Sequence, residues 1–395
     1  MNKNMKFLMA FLLPIVFAVV LVWGFFEYGP LGVFEADAPP VEILFIERAV
    51  FSPEHIELKV FNDGPEPVTV AQAVINEVIW QFEMIPSNTL QPLETGYVAF
   101  DYPWIEGDPL AFTLMASDGV TFEKEVDVAF TSPVFSMRYV KTFVALGIYV
   151  GVIPVLLGLL WFPFLRRLRG KGYSFLLSLT IGLLLFLGVD TFAEALELIG
   201  DLPDALNGVG ILLIGFMLAI FVLGAISYKI ENRAEVKGDH FKALTWGYLI
   251  SLGIGLHNLG EGLAIGSAYA LGEVALGATL VVGFMAHNLT EGIAIISPLT
   301  KDSGKISRFF MHLVMMGLLA GAPTIIGTLI GGFAYSAVYG VFFLAVGAGA
   351  IFDVTYDIAN HMAKGKWNSL FTMTNVFGIF LGLLLMYFTG VLVLG

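Results

Sequence analysis

Eight long apolar segments follow residue 136, separated by short polar stretches. Their approximate bounds are 139–163, 173–199, 206–228, 243–270, 273–298, 306–334, 337–362 and 369–394. Each is long enough for an α-helix to cross the hydrocarbon of a bilayer, which takes about 20 residues. The pattern predicts a polytopic α-helical membrane protein, with an eight-helix transmembrane bundle over residues 137–395.

A further apolar segment, residues 7–26, lies at the amino terminus. Its end is bulky and aromatic, with Trp23 and Phe26 where a cleaved signal peptide carries small residues. We therefore predict that residues 1–35 form an uncleaved transmembrane anchor, which brings the predicted spanning helices to nine. A cleaved signal peptide is the alternative.

Between these regions, residues 36–136 have short alternating segments such as Ile56–Phe61, Val68–Ala73 and Val126–Phe130. Turn signals such as Ser117-Asp118-Gly119 separate them. About seven strands at this spacing predict a small all-β domain, an immunoglobulin-like sandwich. Because the segment has no cysteine pair and no cluster of ligand residues, we assign it no chemistry and interpret it as a packing or stability module.

The composition supports a membrane protein and narrows its chemistry. Hydrophobic residues make up 57% of the chain and charged residues only 13%. The absence of cysteine excludes disulfides, thiolate ligands and cysteine nucleophiles. The net charge of −13 comes mainly from the segment between about residues 35 and 130, which argues against a nucleic-acid partner.

The positions of Lys and Arg predict the orientation. If every segment spans, the basic clusters all fall on one side, at Lys3 and Lys6 and in residues 166–171, 229–242, 301–308 and 364–366. Basic residues concentrate in cytoplasmic loops. We therefore expect a cytoplasmic amino terminus, an extracytoplasmic β-domain and an extracytoplasmic carboxyl terminus, in the plasma or inner membrane.

Two neighbouring apolar segments contain the same polar insert. The inserts read His257-Asn258-Leu259-Gly260-Glu261-Gly262 and His287-Asn288-Leu289-Thr290-Glu291-Gly292. On a helix, the i, i+4 spacing places each His over its Glu, with the Asn on the adjacent flank. Each ionisable group near the bilayer centre costs about 2.5–3.5 kcal/mol, so these four need one another, water or an ion. A divalent metal between the two helices would meet that need.

These inserts resemble the fourth and fifth transmembrane helices of the ZIP (Zrt/Irt-like) family of divalent metal transporters, and the resemblance covers about residues 139–395. It implies that a metal ion is the substrate and that its ligands are His257, Asn258, Glu261, His287, Asn288 and Glu291. Nitrogen and oxygen ligands of this kind suit Zn²⁺, our first expectation, and also Fe²⁺, Mn²⁺ and Cd²⁺, whereas Cu(I) prefers sulfur.

Two departures from the family pattern affect what is expected. Gly260 and Thr290 stand where the family usually has Pro, so we expect a softer helix break at the inserts. Members with two metals also use a carboxylate from the sixth helix, where this chain reads Ala322-Pro323-Thr324-Ile325. Whether one or two metals bind stays open.

Two acidic pairs lie on the second and seventh helices after the β-domain, and these helices run in opposite directions. Asp190 and Glu194 are spaced i, i+4 near the outer end of the second. Asp353 and Asp357 have the same spacing near the inner end of the seventh, followed by His361. We interpret the first pair as an entrance pathway and the second group as an exit pathway. The alternative is that these side chains snorkel to the membrane interface or cap helix ends.

The sequence thus predicts a transporter, not an enzyme, that moves divalent metal into the cytoplasm by alternating access. An intramembrane zinc-dependent hydrolase is one alternative, although the chain has no HExxH motif. A metal-gated sensor is the other, although we find no cytosolic segment longer than about fifteen residues. Metal ions and the lipid bilayer are the expected partners. A homodimer and the partner of the β-domain stay open.

Overall fold

The computed structural model describes residues 3–28, 42–301, 306–334, 336–363 and 366–394. The chain divides into two compact units, Met1–Val41 and Glu42–Gly395. Helix α1 (Lys3–Tyr28) belongs to the first unit and is apolar along Leu12–Gly24. The predicted boundary between anchor and β-domain, at residues 35 and 36, lies outside the described residues.

The second unit begins with nine antiparallel strands. They are β1 (Leu44–Ser52), β2 (His55–Asn62), β3 (Val68–Ile75), β4 (Val78–Trp80), β5 (Glu83–Ile85), β6 (Thr89–Leu90), β7 (Thr95–Phe100), β8 (Leu110–Ala116) and β9 (Thr121–Val126). One sheet has the order β1-β2-β7-β5, and the other has the order β4-β3-β8-β9, with β6 paired to β3. Alternate residues of β2 are buried, as expected for a strand with one face on a core.

Both sheets contribute to one hydrophobic core, with Leu58 and Val98 from the first and Phe112 and Leu114 from the second. The prediction of a small all-β domain is confirmed, whereas its immunoglobulin-like fold stays a prediction. The expected strand Val126–Phe130 is wrong, because β9 ends at Val126. Beyond that point Ala129 exchanges backbone hydrogen bonds with Gly107 and Asp108, which lie in a loop rather than in a strand.

Eleven α-helices follow the strands within the described ranges. They are α2 (Met137–Gly147), α3 (Ile153–Leu159), α4 (Phe162–Leu165), α5 (Lys171–Glu197), α6 (Gly208–Lys237), α7 (Asp239–Ala270), α8 (Val274–Ile296), α9 (Ile306–Gly321), α10 (Pro323–Phe333), α11 (Ala337–Ala363) and α12 (Met373–Leu394). Where consecutive helices are joined end to end and counted as one stretch, seven stretches are long and apolar enough to cross a membrane. They are α2–α4 together, α5, α6, α8, α9–α10 together, α11 and α12. The chain is therefore a multi-pass helical membrane protein.

Helix α7 is not among these seven, although it carries the same insert as α8. It has 32 residues, which is about 48 Å at 1.5 Å per residue. It packs against α8, α10 and α11 inside the bundle. That α7 and α1 also span, which would make nine spans, stays a prediction.

Two spans are irregular at the level of the inserts. A π-helical turn, Ile148–Val152, separates α2 from α3. The span formed by α9 and α10 is broken at Ala322, and Pro323 starts the second helix, a position that suits proline because its missing N–H has no partner there. In contrast, α7 and α8 run through Gly260 and Thr290 without interruption.

Two loops of the β-domain contact one end of the helical bundle. The carboxylate of Asp63 accepts hydrogen bonds from the backbone N–H groups of Asp204 and Ala205, at 2.7 and 2.8 Å, in the loop between α5 and α6. Gly272, in the loop between α7 and α8, has a positive φ of 84°. A Cβ there would lie 3.2 Å from the carbonyl oxygen of Val128, so the glycine allows the two chains to approach.

Candidate metal centre

The two inserts meet inside the bundle, on the facing sides of α7 and α8. All six predicted ligands are buried, with at most 4% of any residue exposed: His257, Asn258, Glu261, His287, Asn288 and Glu291. The burial follows from the helical period, since each His and its Glu lie four residues apart on one side of their helix. The structure thus brings together all of the residues that the sequence predicts as ligands.

Glu261 lies at the middle of this cluster. Its Oε1 is 3.1 Å from Nε2 of His257, and Nε2 of His287 lies against the same oxygen. Its Oε2 accepts a hydrogen bond of 3.1 Å from the amide nitrogen of Asn288. In the reciprocal arrangement, Asn258 donates to Oε2 of Glu291, also at 3.1 Å. Each asparagine therefore reaches the glutamate of the opposite helix.

The irregular spans hold the two asparagine side chains in place. Asn288 donates its other amide hydrogen to the carbonyl oxygen of Val150, in the π-helical turn, at 3.0 Å. Asn258 donates to the carbonyl oxygen of Ala320, in the last turn of α9, at 3.2 Å. Carbonyl groups in the last turn of a helix lack helical partners, so they are available to side chains. Both carboxamide nitrogens are therefore satisfied, and the amide oxygens are left as acceptors.

Three buried oxygens of the cluster have no hydrogen-bond partner among the described residues: Oδ1 of Asn258, Oδ1 of Asn288 and Oε1 of Glu291. A buried acceptor without a donor costs about 1–3 kcal/mol. All three are acceptor atoms of the kind that divalent cations bind. These three oxygens therefore have neither a hydrogen-bond donor nor a positive charge to satisfy them, and a cation bound between them would supply it.

One residue of the site was missed by the sequence analysis. Thr191 of α5 places its hydroxyl oxygen 2.8 Å from Nδ1 of His257, and the same hydroxyl is 2.7 Å from the carbonyl oxygen of Leu187. The hydroxyl hydrogen goes to the carbonyl, so the oxygen accepts from Nδ1–H of His257. The lone pair of that imidazole is then on Nε2, towards Glu261. The sequence feature that could have identified Thr191 is its position next to Asp190, on the helix that carries the predicted entrance pathway.

The geometry suits a metal ion. One ligand atom from each of His257, His287 and Glu291 lies within 4.8 Å of the other two. A cation about 2.0–2.2 Å from imidazole nitrogen and carboxylate oxygen fits between atoms at such separations. Two imidazole Nε2 atoms that converge on one carboxylate oxygen need a proton or a metal between them, because a lone pair facing a carboxylate is repelled.

The predicted entrance residues border the site on the side of the β-domain. Asp190 and Glu194 both interact electrostatically with Glu261 and His287. Glu194 lines a cavity of about 360 Å³ together with Gly260, the residue that precedes Glu261. Three further carboxylates line it, from Glu197, Asp201 and Glu273. Glu273 was not anticipated, because only the fold brings the loop between α7 and α8 beside the end of α5.

Glu273 also faces the β-domain. Its partial burial raises the pKa of its carboxyl group, and the nearby carboxylate of Asp201 raises that pKa further, whereas Lys124 lowers it and Asp127 raises it. Lys124 belongs to β9 and Asp127 directly follows that strand. Both the bundle and the β-domain therefore contribute charged side chains to the mouth of the cavity.

Of the predicted exit residues, Asp357 lies in a tightly packed part of the bundle, whereas His361 lines a cavity of about 770 Å³ at the end opposite the β-domain. Asp357 lines a cavity of only about 10 Å³ together with Trp246 and Ile250 of α7, which is no more than the space of one water. The ring of Trp246 packs edge-to-face against His361, with centroids 4.0 Å apart. Asp353 lies against Gly224 of α6 instead. Trp246 therefore borders both Asp357 and His361, whereas Asp353 faces α6.

Compared with known proteins, the chain matches no protein-family model and no curated protein.

Proposed function

We propose that this protein is a ZIP-like transporter that moves divalent transition-metal ions across a membrane, into the cytoplasm, by alternating access. One observation carries the proposal: two His, two Asn and two Glu residues are buried together on helices α7 and α8, within an apolar bundle. Ionisable groups at such a place are costly and mark ion pathways in membrane proteins. The three acceptor oxygens without a partner support a cation as the missing component.

The donor set supports a borderline cation. Imidazole nitrogen, amide oxygen and carboxylate oxygen suit Zn²⁺, our first choice, and also Fe²⁺, Mn²⁺ and Cd²⁺. Two antiparallel neighbours with the same insert form an inverted pair, as in other transporters with a midplane site. The ion is the substrate, so its site must also release it.

The two ends of the bundle differ in a way that supports an outward-facing state. On the side of the β-domain, the cavity of about 360 Å³ reaches from Glu273 to Gly260. On the other side, His361 lines a cavity of about 770 Å³, but Trp246 packs between α7 and α11 beside His361, and the gap next to this tryptophan is only about 10 Å³. We infer that ions collect at Asp190 and Glu194, enter the cluster, and leave past Asp357 and His361 after Trp246 moves.

Close backbone packing suggests which helices move together. The backbone of α7 at Gly262 touches that of α10 at Thr324, and α8 at Gly292 touches α3 at Gly158. Helices without side chains between them cannot slide past each other easily. We infer that α3, α8 and α10 move together with α7 and carry the metal site as one body.

Metal influx into proteoliposomes that contain the purified full-length chain tests the proposal, with Zn²⁺, Mn²⁺, Fe²⁺ and Cd²⁺ compared. We expect saturable influx, and we expect the double variant His257→Ala/Glu261→Ala to abolish it. The matched control is His312→Ala, which removes an imidazole that is hydrogen-bonded to Tyr248 at 2.9 Å, outside the cluster. This control should transport like the unmodified chain.

Stoichiometric metal binding without transport would overturn the proposal. Product release from a lipid or peptide substrate would then indicate an intramembrane hydrolase that uses the metal to activate water. If neither transport nor hydrolysis occurs, a metal-dependent change in the exposure of the β-domain would indicate a sensor. Unchanged influx in the double variant would show that the cluster is not the transport site.

A further inference from the structure

A second large cavity, of about 770 Å³, lies at the end of the bundle opposite the β-domain. The start of α5 forms one wall, and the segment that connects α11 to α12 forms the other. These two parts of the chain are nearly 200 residues apart in sequence, and α5 packs along α12 above the cavity. The metal cluster, in contrast, lies between α7 and α8.

The cavity is basic. Arg169, Lys171 and Lys366 line it, and no described lining residue is an Asp or a Glu. Arg and Lys side chains favour a phosphate group. The first turn of α5 also opens here, with no side-chain cap at Gly170, and the amino-terminal end of a helix favours an anion.

A divalent cation does not suit this cavity. His361 lines it as well as the proposed exit pathway, but three positive charges near one opening repel a second cation. The basic residues are therefore not explained as ligands or guides for the metal. Cytoplasmic loops tend to be basic, which explains on which side of the membrane these three residues lie. It does not explain why the three residues converge on one cavity.

Ser174, Ser369 and Asn375 add polar groups to the lining, and apolar side chains complete it, with Leu177 on α5 and Met362 on α11. The rim carries exposed aromatic side chains, since Trp367 and Phe371 are 46% and 76% exposed in the short helical turn before α12. Aromatic residues of this kind lie at the level of the lipid headgroups. A molecule that fills the cavity would therefore meet charge at the headgroup level and hydrocarbon beyond it.

We propose that this cavity binds the phosphate group of an anionic phospholipid, in the leaflet opposite the β-domain. Lys171 and Lys366 face the phosphate, and Arg169 adds positive charge beside it while its Nη1 donates to the carbonyl oxygens of Arg166, Leu168 and Thr300. The acyl chains lie against the apolar face of α12, where Phe377 and Phe380 are exposed. Basic pockets between transmembrane helices bind anionic headgroups in this way. The proposal requires that the bundle spans a membrane, but it does not depend on metal transport.

Thr372 offers a substitution that changes charge and keeps the fold. Its hydroxyl oxygen accepts from the backbone N–H of Asn375 at 3.4 Å, and its carbonyl oxygen accepts from Val376 at 2.9 Å, so it caps the first turn of α12. Asp and Asn cap helices as well as Thr does. Thr372→Asp therefore adds a negative charge inside the cavity, and Thr372→Asn is the neutral control with the same size and the same capping ability.

The test is native mass spectrometry of the purified full-length protein, titrated with phosphatidylglycerol, phosphatidylcholine or inorganic phosphate. We expect phosphatidylglycerol to bind more tightly than phosphatidylcholine. Thr372→Asp should weaken that binding by roughly fivefold, since one charge near a lipid surface contributes on that order, and Thr372→Asn should leave it within about twofold. Inorganic phosphate that binds as tightly as the lipid would overturn the lipid assignment in favour of a soluble anion.

A second pair of variants separates the cavity from general attraction to the membrane. Lys171→Gln/Lys366→Gln removes two cavity charges, and Arg167→Gln/Lys229→Gln removes two exposed charges from the same end of the bundle, outside the cavity. Only the first pair should lose phosphatidylglycerol binding, by roughly tenfold or more. An equal loss in both pairs, or no loss in the first, would overturn the proposal. The melting temperature of each variant shows that it is folded.

Discussion

The hydroxyl oxygen of Thr191 on α5 lies 2.8 Å from Nδ1 of His257 on α7. Because this hydroxyl donates to the carbonyl oxygen of Leu187 at 2.7 Å, it can only accept from the imidazole. The bond selects the tautomer of His257 that keeps a lone pair on Nε2, the nitrogen that faces Glu261. Groups that orient a histidine through its second nitrogen strongly affect metal affinity.

Thr191→Val should weaken metal binding by about 10- to 100-fold. Valine has the shape of threonine without the hydroxyl, so His257 keeps its space but loses its acceptor. Isothermal titration of the purified protein with Zn²⁺ measures the affinity. Thr191→Ser should restore it, because the hydroxyl returns.

The matched control for this substitution is Thr180→Val on the same helix. Thr180 is also buried, and its hydroxyl donates to the carbonyl oxygen of Leu176 at 3.1 Å, away from the cluster. This variant should bind Zn²⁺ like the unmodified chain. An equal loss of affinity in both threonine variants would mean that α5 stability, not the orientation of His257, controls binding.

Trp246→Ala should open the closed end of the bundle. The indole packs against His361 with centroids 4.0 Å apart, and its removal joins the cavity of about 10 Å³ beside Ile250 to the outside. Because the chain has no cysteine, Ile250→Cys can be labelled selectively with an impermeant maleimide. We expect little labelling of Ile250→Cys alone and strong labelling together with Trp246→Ala, from the side opposite the β-domain.

Leu271→Cys, in the loop beside the cavity of about 360 Å³ on the side of the β-domain, serves as the control for this experiment. Its labelling from the side of the β-domain should not depend on Trp246. If Ile250→Cys reacts equally with and without the tryptophan, another group closes this end of the bundle.

Asp63→Ala should loosen the loop between α5 and α6. The substitution removes two hydrogen bonds to the N–H groups of Asp204 and Ala205, worth about 1–2 kcal/mol together. Hydrogen exchange at these two amides should therefore accelerate by roughly 5- to 30-fold. Asp118→Ala, which removes a turn hydrogen bond to Val120 inside the β-domain, should leave both amides unchanged.

Glu273 should make stability depend on pH. Because partial burial and Asp201 raise its pKa, the folded protein favours the protonated carboxyl group, and ionisation at higher pH costs stability. Relative to Glu273→Gln, the unmodified protein should therefore gain stability as the pH falls from about 7.5 to about 5. The effect should stay below about 1 kcal/mol, since the side chain is largely exposed.

Melting temperatures of the two proteins across this pH range measure the effect. Lys124 lowers the pKa of Glu273, so Lys124→Gln should move the gain in stability to higher pH. A constant difference in melting temperature between Glu273→Gln and the unmodified protein would show that Glu273 does not titrate differently in the folded state.

The sequence by itself determined the parts of this protein that depend on local spacing. Apolar runs of bilayer length predicted the spans, alternation predicted the small all-β domain, and i, i+4 spacing placed His257 with Glu261 and His287 with Glu291. These features could be predicted because the helical and strand periods determine which side chains share a face, whatever the rest of the chain does.

Only the tertiary structure decided how the cluster is completed and which end is closed. The carbonyl oxygens of Val150 and Ala320 hold the asparagines, Thr191 orients His257, and Trp246 lies beside His361. Each contact depends on the rotation of one helix about its axis relative to another, or on a break in helical hydrogen bonding. Neither is determined by spacing along a single helix, because both follow from the packing of segments that are 60 to 140 residues apart.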